Sequence, residues 1–356
     1  MKRRRALSLL LFSFCLGGEE IRVQLFAPLN PPSATAVRAA DGLIGVVHCD
    51  DIPSPLAVPA VTVRAEAARL RLTPGLCGPC RRIVFPAARY RLTACGIDKS
   101  VQGVLEITPW QNGLRLVGHV ELEDYVAGVL WGEGEQFREM EFLRALAVAV
   151  RSYALFSRIH PLNSAYHLVD STRSAFFKGG PAPAVFTTAC RLTRGRLLQK
   201  EGELVPGFFF AESGGRTWLP RQLWGDDLRG FKSAFPVEAA GSRRVRLAKK
   251  EMLNLFGQGR PQVPVAMIDR DSEIELRAED GSSRRFSKAT IYRRGNRNDH
   301  RLWPSPYFRL REQGGEVELV FSGRGHQVGL SLSGAHALAR RGWNADQILR
   351  YYFDID

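Results

Sequence analysis

Apolar positions repeat at two periods along this chain. Met140, Leu143, Ala147, Val150 and Ala154 recur every three or four residues, which predicts a largely buried helix over about Glu139–Ser157. A preceding helix starts at Glu121 with acids in its first turn and ends near Glu133. From Ile21 to about Tyr90 the runs are short and alternating or β-branched: Ile21–Leu25, Leu43–Val47, Val61–Val63 and Leu70–Leu72, separated by Pro and Gly. They predict a small β-rich region. Val104–Ile107 and Leu114–Val117 bracket Asn112-Gly113 and predict a hairpin.

Downstream, Thr193–Leu198 reads as turn and strand. An arginine-rich stretch, Gly241–Arg301, holds a helix near Lys249–Phe256 and strands near Ile274 and Thr290. Glu316–Phe321 is a strand, and two helices cover about Gly334–Arg341 and Ala345–Phe353, with Gly342 closing the first and Asn344 capping the second. The expected fold class is α+β: interleaved helices and mostly antiparallel strands around a cleft. The expected division is a leader over 1–18, a β-rich region over 19–103 and the main domain over 104–356, with 241–301 as a basic insert.

Composition changes the picture in three ways. First, the start, MKRRRALSLLLFSFCLGGEE, joins basic Lys2–Arg5 to a short apolar stretch and small residues. That is the pattern of a secretory signal cut near Gly17 or Gly18, with a retained anchor as the alternative. Phe14 is too bulky before Cys15 for a lipoprotein site. The expected location is the periplasm or cell envelope, or its membrane surface if the segment is kept. Second, the formal charge is +14, which suits an anionic envelope polymer or membrane surface, or reflects biased arginine usage alone. Export argues against a nucleic-acid partner. Third, Cys49, Cys77, Cys80, Cys95 and Cys190 follow the leader. Cys77-Gly-Pro-Cys80 lacks the strand before and helix after that a redox motif wants, so a structural disulfide is expected, with one thiol left over. No second ligand pair completes a zinc site.

The most chemical segment is Gly128–Leu155, GVLWGEGEQFREMEFLRALAVAVRSYAL. Glu133 is an acid at a helix end, with Glu135 and Glu139 as local rivals. Arg151 lies inside the buried helical run and needs an anionic or polar partner. This segment resembles the core of the SpoIID/LytB proteins, whose pattern runs G-V-V-x-x-E-M-P, then E-A-L-K-A-Q-A-V-A-A-R-[ST]-Y-A-L. Gly128-Val129, Glu133, Leu143–Ala145, Ala147–Ala149 and Arg151–Leu155 fall on it without a gap, with Leu146 for Gln and Val150 for Ala. Phe208–Thr217 resembles that family's F-x-S-S-x-G-G-x-T loop, and Trp224 fits the tryptophan after it. Gly323–Ala335, GRGHQVGLSLSGA, resembles G-H-x-V-G-[ML]-S-Q-x-G-A, keeping His326, Gly329, Ser331, Gly334 and Ala335 but carrying Leu332 for Gln.

The resemblance implies cleavage of the MurNAc–GlcNAc bond of peptidoglycan glycan strands by a lytic transglycosylase. Glu133 stands at the catalytic acid, and no cofactor is implied. It implies substrate-lining roles for His326 and Ser331. Ser213, with Gly214-Gly215, reads as a cleft loop or a plain turn, and Arg151 as a substrate contact or a tie within the core. Where the family often carries a zinc cluster, D-T-T-H-C-Q, this chain has Asp170-Ser171-Thr172-Arg173-Ser174-Ala175; His160 and His167 lack partners. Metal is therefore not expected, and Phe176 and Phe177 are expected to hold that loop by packing. An acid working near neutral pH needs a raised pKa, which burial against Trp131, Val129 and the apolar helix would supply; Arg151 should not pair with it. Two alternatives remain open. One is a muramidase that delivers water. The other is a non-catalytic glycan binder that modifies a cell-wall amidase or joins division proteins.

Overall fold

The computed structural model describes residues 19–356 apart from 28, 30, 32–34, 41, 75–77, 257–263 and 299–301. The leader reading, with Cys15, lies outside the described residues, as does Cys77.

Nine strands come first: β1 (Glu20–Leu25), β2 (Thr35–Ala39), β3 (Ile44–Cys49), β4 (Ile52–Val58), β5 (Ala60–Glu66), β6 (Arg69–Thr73), β7 (Ile83–Ala94), β8 (Ile97–Trp110) and β9 (Gly113–Glu121). Then follow α1 (Leu122–Gly134), α2 (Met140–Ile159), β10 (Leu168–Val169) and α3 (Ala184–Leu192). Strands β1 to β10 form one sheet in the order β10-β1-β9-β8-β7-β2-β5-β6, with β3 beside β7 and β4 beside β3. Every pairing is antiparallel except β1 with β10. Alternation sets the faces: in β1, Ile21, Val23 and Leu25 are buried while Glu20, Arg22 and Gln24 are less so. The hairpin turn is Gln111-Asn112, one residue earlier than the Asn-Gly signal suggested, because Trp110 pairs with Gly113.

Strand β8 runs unbroken through residue 103, where a domain boundary was expected, and β1 pairs along its whole length with β9. The β-rich region and the helices therefore share a sheet. They also share one hydrophobic core, in which Phe85 and Leu105 of the sheet join Val126, Phe142 and Leu146 of the helices. Arg151 sits within it at 1 % exposure.

The rest of the chain adds β11 (Gln199–Lys200), β12 (Glu203–Leu204), β13 (Phe209–Phe210), α4 (Pro220–Leu223), β14 (Ser242–Ala248), α5 (Lys249–Asn254), β15 (Pro264–Asp269), β16 (Glu273–Ala278), β17 (Ser283–Ser287) and α6 (Lys288–Asn298). It closes with β18 (Phe308–Gln313), β19 (Glu316–Ser322), β20 (Leu330–Ser331), α7 (Leu332–Arg340) and α8 (Ala345–Tyr352). Sheets β14-β19-β18 and β15-β16-β17 surround a second core built on Met252, Phe256, Ile274, Ile291 and Phe321. Thr290 lies in helix α6, not in the strand expected there. Ala289, Tyr292 and Gly295 recur at helical spacing, and Ala289, Ile291 and Tyr292 are buried, so packing overrides the β-branched pair Thr290-Ile291. The fold is α+β, as expected.

The cysteines differ from the expectation. Cys80 is a free, buried thiol, as is Cys190, and Cys95 is free and exposed. Cys49 is disulfide-bonded. Cys80 thus takes no part in a bridge within Cys77–Cys80.

Candidate active site

A cleft of about 620 Å³ opens where the two cores meet. Its walls come from the end of α1 (Glu133), the middle of α2 (Tyr153), the 172–174 turn, β13 with its neighbours Phe208 and Ala211, Trp224 and Asp226 after α4, and Arg324–His326 with Leu332. The short parallel pair β13–β20 joins two of these walls.

Glu133 occupies the last turn of α1. Two glycines on that helix, one turn apart, decide its surroundings. A Cβ on Gly128 would lie 2.3 Å from the Phe177 ring, and one on Gly132 would lie 2.0 Å from the Phe176 carbonyl oxygen. Only without side chains there can the 176–179 segment lie directly on the helix. That approach lets Phe176 N–H donate to Glu133 Oε1 at 2.8 Å and Lys178 N–H donate to the Gly128 carbonyl at 3.1 Å. Burial raises the Glu133 pKa above the ordinary carboxylate value, while the Phe176 N–H and the charge of Arg324 pull it down. The negative end of the α1 dipole works in the same direction as burial. Glu133 is thus inclined to hold a proton. Its rivals are engaged elsewhere: Glu135 pairs with Lys178 at 2.6 Å, and Glu139 with His336.

His326 reaches the opposite wall from a turn just after β19. Its ring lies 5.4 Å from Trp224, 5.8 Å from Phe210 and 6.2 Å from Phe208. Burial lowers its pKa to about 4, so the ring is neutral near pH 7. Nδ1 accepts from Val328 N–H at 3.1 Å, which leaves the proton on Nε2, beside the Phe209 backbone acceptor. This imidazole shapes the wall and offers no titrating proton at neutral pH.

The remaining candidate site residues, Arg151, Ser213 and Ser331, do not line the cleft. Arg151 forms a two-pronged ion pair with Glu123 (Nε–Oε1 2.7 Å, Nη2–Oε2 2.7 Å) and donates to the carbonyls of Arg196 and Cys190 at 3.2 and 3.4 Å. It ties α2 to α1 and to the turn after α3, and it does not touch Glu133. Ser213 and Ser331 are buried and converge on Glu238: Ser213 N–H donates to Glu238 Oε1 at 3.1 Å and the Ser331 hydroxyl at 2.7 Å. Ser331 also caps α7, accepting from Gly334 N–H at 3.1 Å. Both serines hold the loop behind the wall. Their motif spacing reflected that scaffold, and the hub, Glu238, carries no local sequence signal.

Several cleft residues escaped the sequence reading. Arg324 and Asp226 put one cation and one carboxylate on the wall. Tyr153 and Phe208, 5.8 Å apart, supply aromatic surface. Tyr153, Phe208 and Arg324 all lie inside quoted motifs, so a closer look at the side chains there could have found them; Asp226 had no such signal.

The 170–179 segment is held by more than ring packing. Phe177 stacks on Tyr125 at 5.3 Å, but Phe176 is half-exposed. Asp170 accepts from Lys99 Nζ at 2.5 Å and from Phe26 N–H at 2.7 Å, and Lys99 also donates to the Phe177 carbonyl. Ser174 Oγ accepts from Val169 N–H at 3.3 Å. Arg173 and Ser174, where relatives of the resembled family carry metal ligands, are no set for zinc. Among the described residues no three His, Cys, Asp or Glu side chains come together. His167 is tied instead to Arg22, whose N–H donates to Nδ1 at 3.1 Å.

Residues 110–199 match the family model described as Stage II sporulation protein (SpoIID). They span α1, α2 and the Glu133 wall of the cleft. The chain is 24% identical over 272 residues to stage II sporulation protein D of Bacillus subtilis, covering 70% of this chain and 77% of that one. The Bacillus amyloliquefaciens protein of the same name is 24% identical over 270 residues, with the same coverage. An uncharacterized protein of Brachyspira hyodysenteriae is 24% identical over 266 residues, covering 71% of this chain and 70% of that protein. The family match thus covers the helical stretch that carries Glu133, and the relatives extend the similarity, at 24% identity, to about 70% of the chain.

Proposed function

We propose that this protein is a SpoIID-family peptidoglycan lytic transglycosylase acting in cell-wall remodelling, with Glu133 as its single acid and base. The observation that carries this reading is a carboxyl group with a raised pKa on the wall of a cleft edged with aromatic rings. Protonated Glu133 gives its proton to the glycosidic oxygen, and the C1–O bond breaks with its electron pair on that oxygen. The carboxylate then takes the proton of the C6 hydroxyl as O6 closes on C1. The product is a 1,6-anhydro sugar, no water is consumed, and Glu133 ends protonated as it began. Phe208 and Trp224 offer flat apolar surface for pyranose rings. The basic balance of the chain suits an anionic wall polymer, and the leader-like start suits export to it. A role in sporulation follows by extension from the names of the two Bacillus relatives.

Asp226 favours a second reading. A second carboxylate on the same cleft is what a hydrolase needs to activate water. Mass spectrometry of peptidoglycan digested by the wild type and by Glu133→Gln separates the two. Anhydro products from the wild type alone are expected. Products heavier by one water would replace the lyase with a muramidase. Intact sacculus binding with no product from either protein would leave a glycan-binding modifier of another wall enzyme.

A further inference from the structure

Arg324 stands out in the cleft because its backbone is held rigidly while its side chain is free. Gly323 and Gly325 flank it at φ 70° and 107°. Glu212 N–H donates to the Arg324 carbonyl at 3.0 Å, and Arg324 N–H donates back to the Glu212 carbonyl at 2.9 Å. The Gln327 amide locks the same junction, accepting from Gly214 N–H at 2.8 Å and donating to the Glu212 carbonyl at 2.9 Å. Gln327 itself takes φ 64° and is fully buried. This is a costly local arrangement for one turn. Among the described residues, the guanidinium it projects into the cleft has no hydrogen-bond or ion-pair partner.

Resting on the acid role of Glu133, we propose that Arg324 is a positioning residue whose guanidinium steadies the Glu133 carboxylate between its two proton transfers. An acid that must become a base has to exist for a moment as a half-buried anion. The Phe176 N–H gives it one hydrogen bond, and an opposite charge across the cleft supplies the rest. The other groups around Glu133 are poorly suited. Tyr153 and Tyr125 are neutral phenols with raised pKa values, His326 is neutral, and Asp226 has the wrong sign. Arg173 also lines the cleft, but from the exposed 172–174 turn on the Glu133 side, whereas Arg324 rises from the glycine-flanked turn of the opposite wall.

The test is a carbon-detected NMR titration of the Glu133 carboxyl in wild type, Arg324→Gln and Arg324→Lys, with pH–rate profiles on purified glycan strands. In Arg324→Gln the Glu133 midpoint should rise by about one unit, as expected for loss of a nearby opposite charge. The basic limb of the rate profile should move the same way, and kcat should fall about tenfold with KM nearly constant. Lysine should restore much of each effect. An unmoved midpoint overturns the proposal, as does a higher KM at constant kcat, which marks a substrate contact. Should no protein release anhydro products, the cleavage reading fails on its own while the titration still decides the coupling. Arg324 is exposed, so both variants should melt with the wild type.

Discussion

Helix α1 carries two glutamates with opposite fates. Glu123, in the first turn, meets the buried Arg151 guanidinium with both oxygens and is locked between helices. Glu133, in the last turn, receives one backbone N–H and faces a cleft. The first sits at the positive end of the helix dipole, where a carboxylate belongs, and the second at the negative end, where it does not. A matched charge is locked into structure, and a mismatched one is left facing open space with a raised pKa.

The strongest way to break this comparison is at the matched end. Arg151→Ala should cost about 3–5 kcal/mol, since it strands Glu123 beside carbonyls that lose their donor; chemical denaturation measures it. A loss below about 1 kcal/mol would mean the pair does not hold the helices together. A smaller effect is expected from Gly132→Ala. Its Cβ must push Phe176 away from α1, at about 1–3 kcal/mol, and should detach the N–H from Glu133. Glycan cleavage should fall well beyond what the melting curve accounts for. If stability and cleavage are both unchanged, the close approach does not position the acid.

The smallest effect concerns sign alone. A carboxyl with a raised native pKa favours the fold fully below its unfolded pKa, and that contribution is lost as pH rises through the native value. Glu133→Gln should therefore melt at or above the wild type at pH 7, with the gap closing toward pH 4. A variant less stable at pH 7 than at pH 4, relative to wild type, would show that Glu133 serves the fold and not the cleft.

Much of the Glu133 side was legible in the sequence because it depends on local signals. Helical spacing gave α2 to within two residues of its ends, and the acid at the end of α1 stood out against an apolar run. The opposite wall depends on contacts far apart in sequence, and there the reading found His326 and Trp224 but misplaced their neighbours. Ser213 and Ser331 looked like cleft residues but bond to Glu238 behind it. Arg324 resembled any surface arginine in a basic chain. Strand β8 crosses the expected boundary at residue 103 because strand partners, not composition, decide where a sheet stops. Arg151 admitted two readings from sequence, and only the position of Glu123 one helix away distinguishes them.

The β13–β20 junction has a consequence for when the site exists at all. The Gln327–Glu212 clasp beside it links residues 115 positions apart, and the second core must be accommodated between them. Loop-closure entropy makes such contacts late ones. The cleft is then among the last features to form, and a chain only partly through its synthesis carries Glu133 with no opposing wall. Timing built into the topology would leave the Glu133 carboxyl facing solvent until both cores have closed on each other.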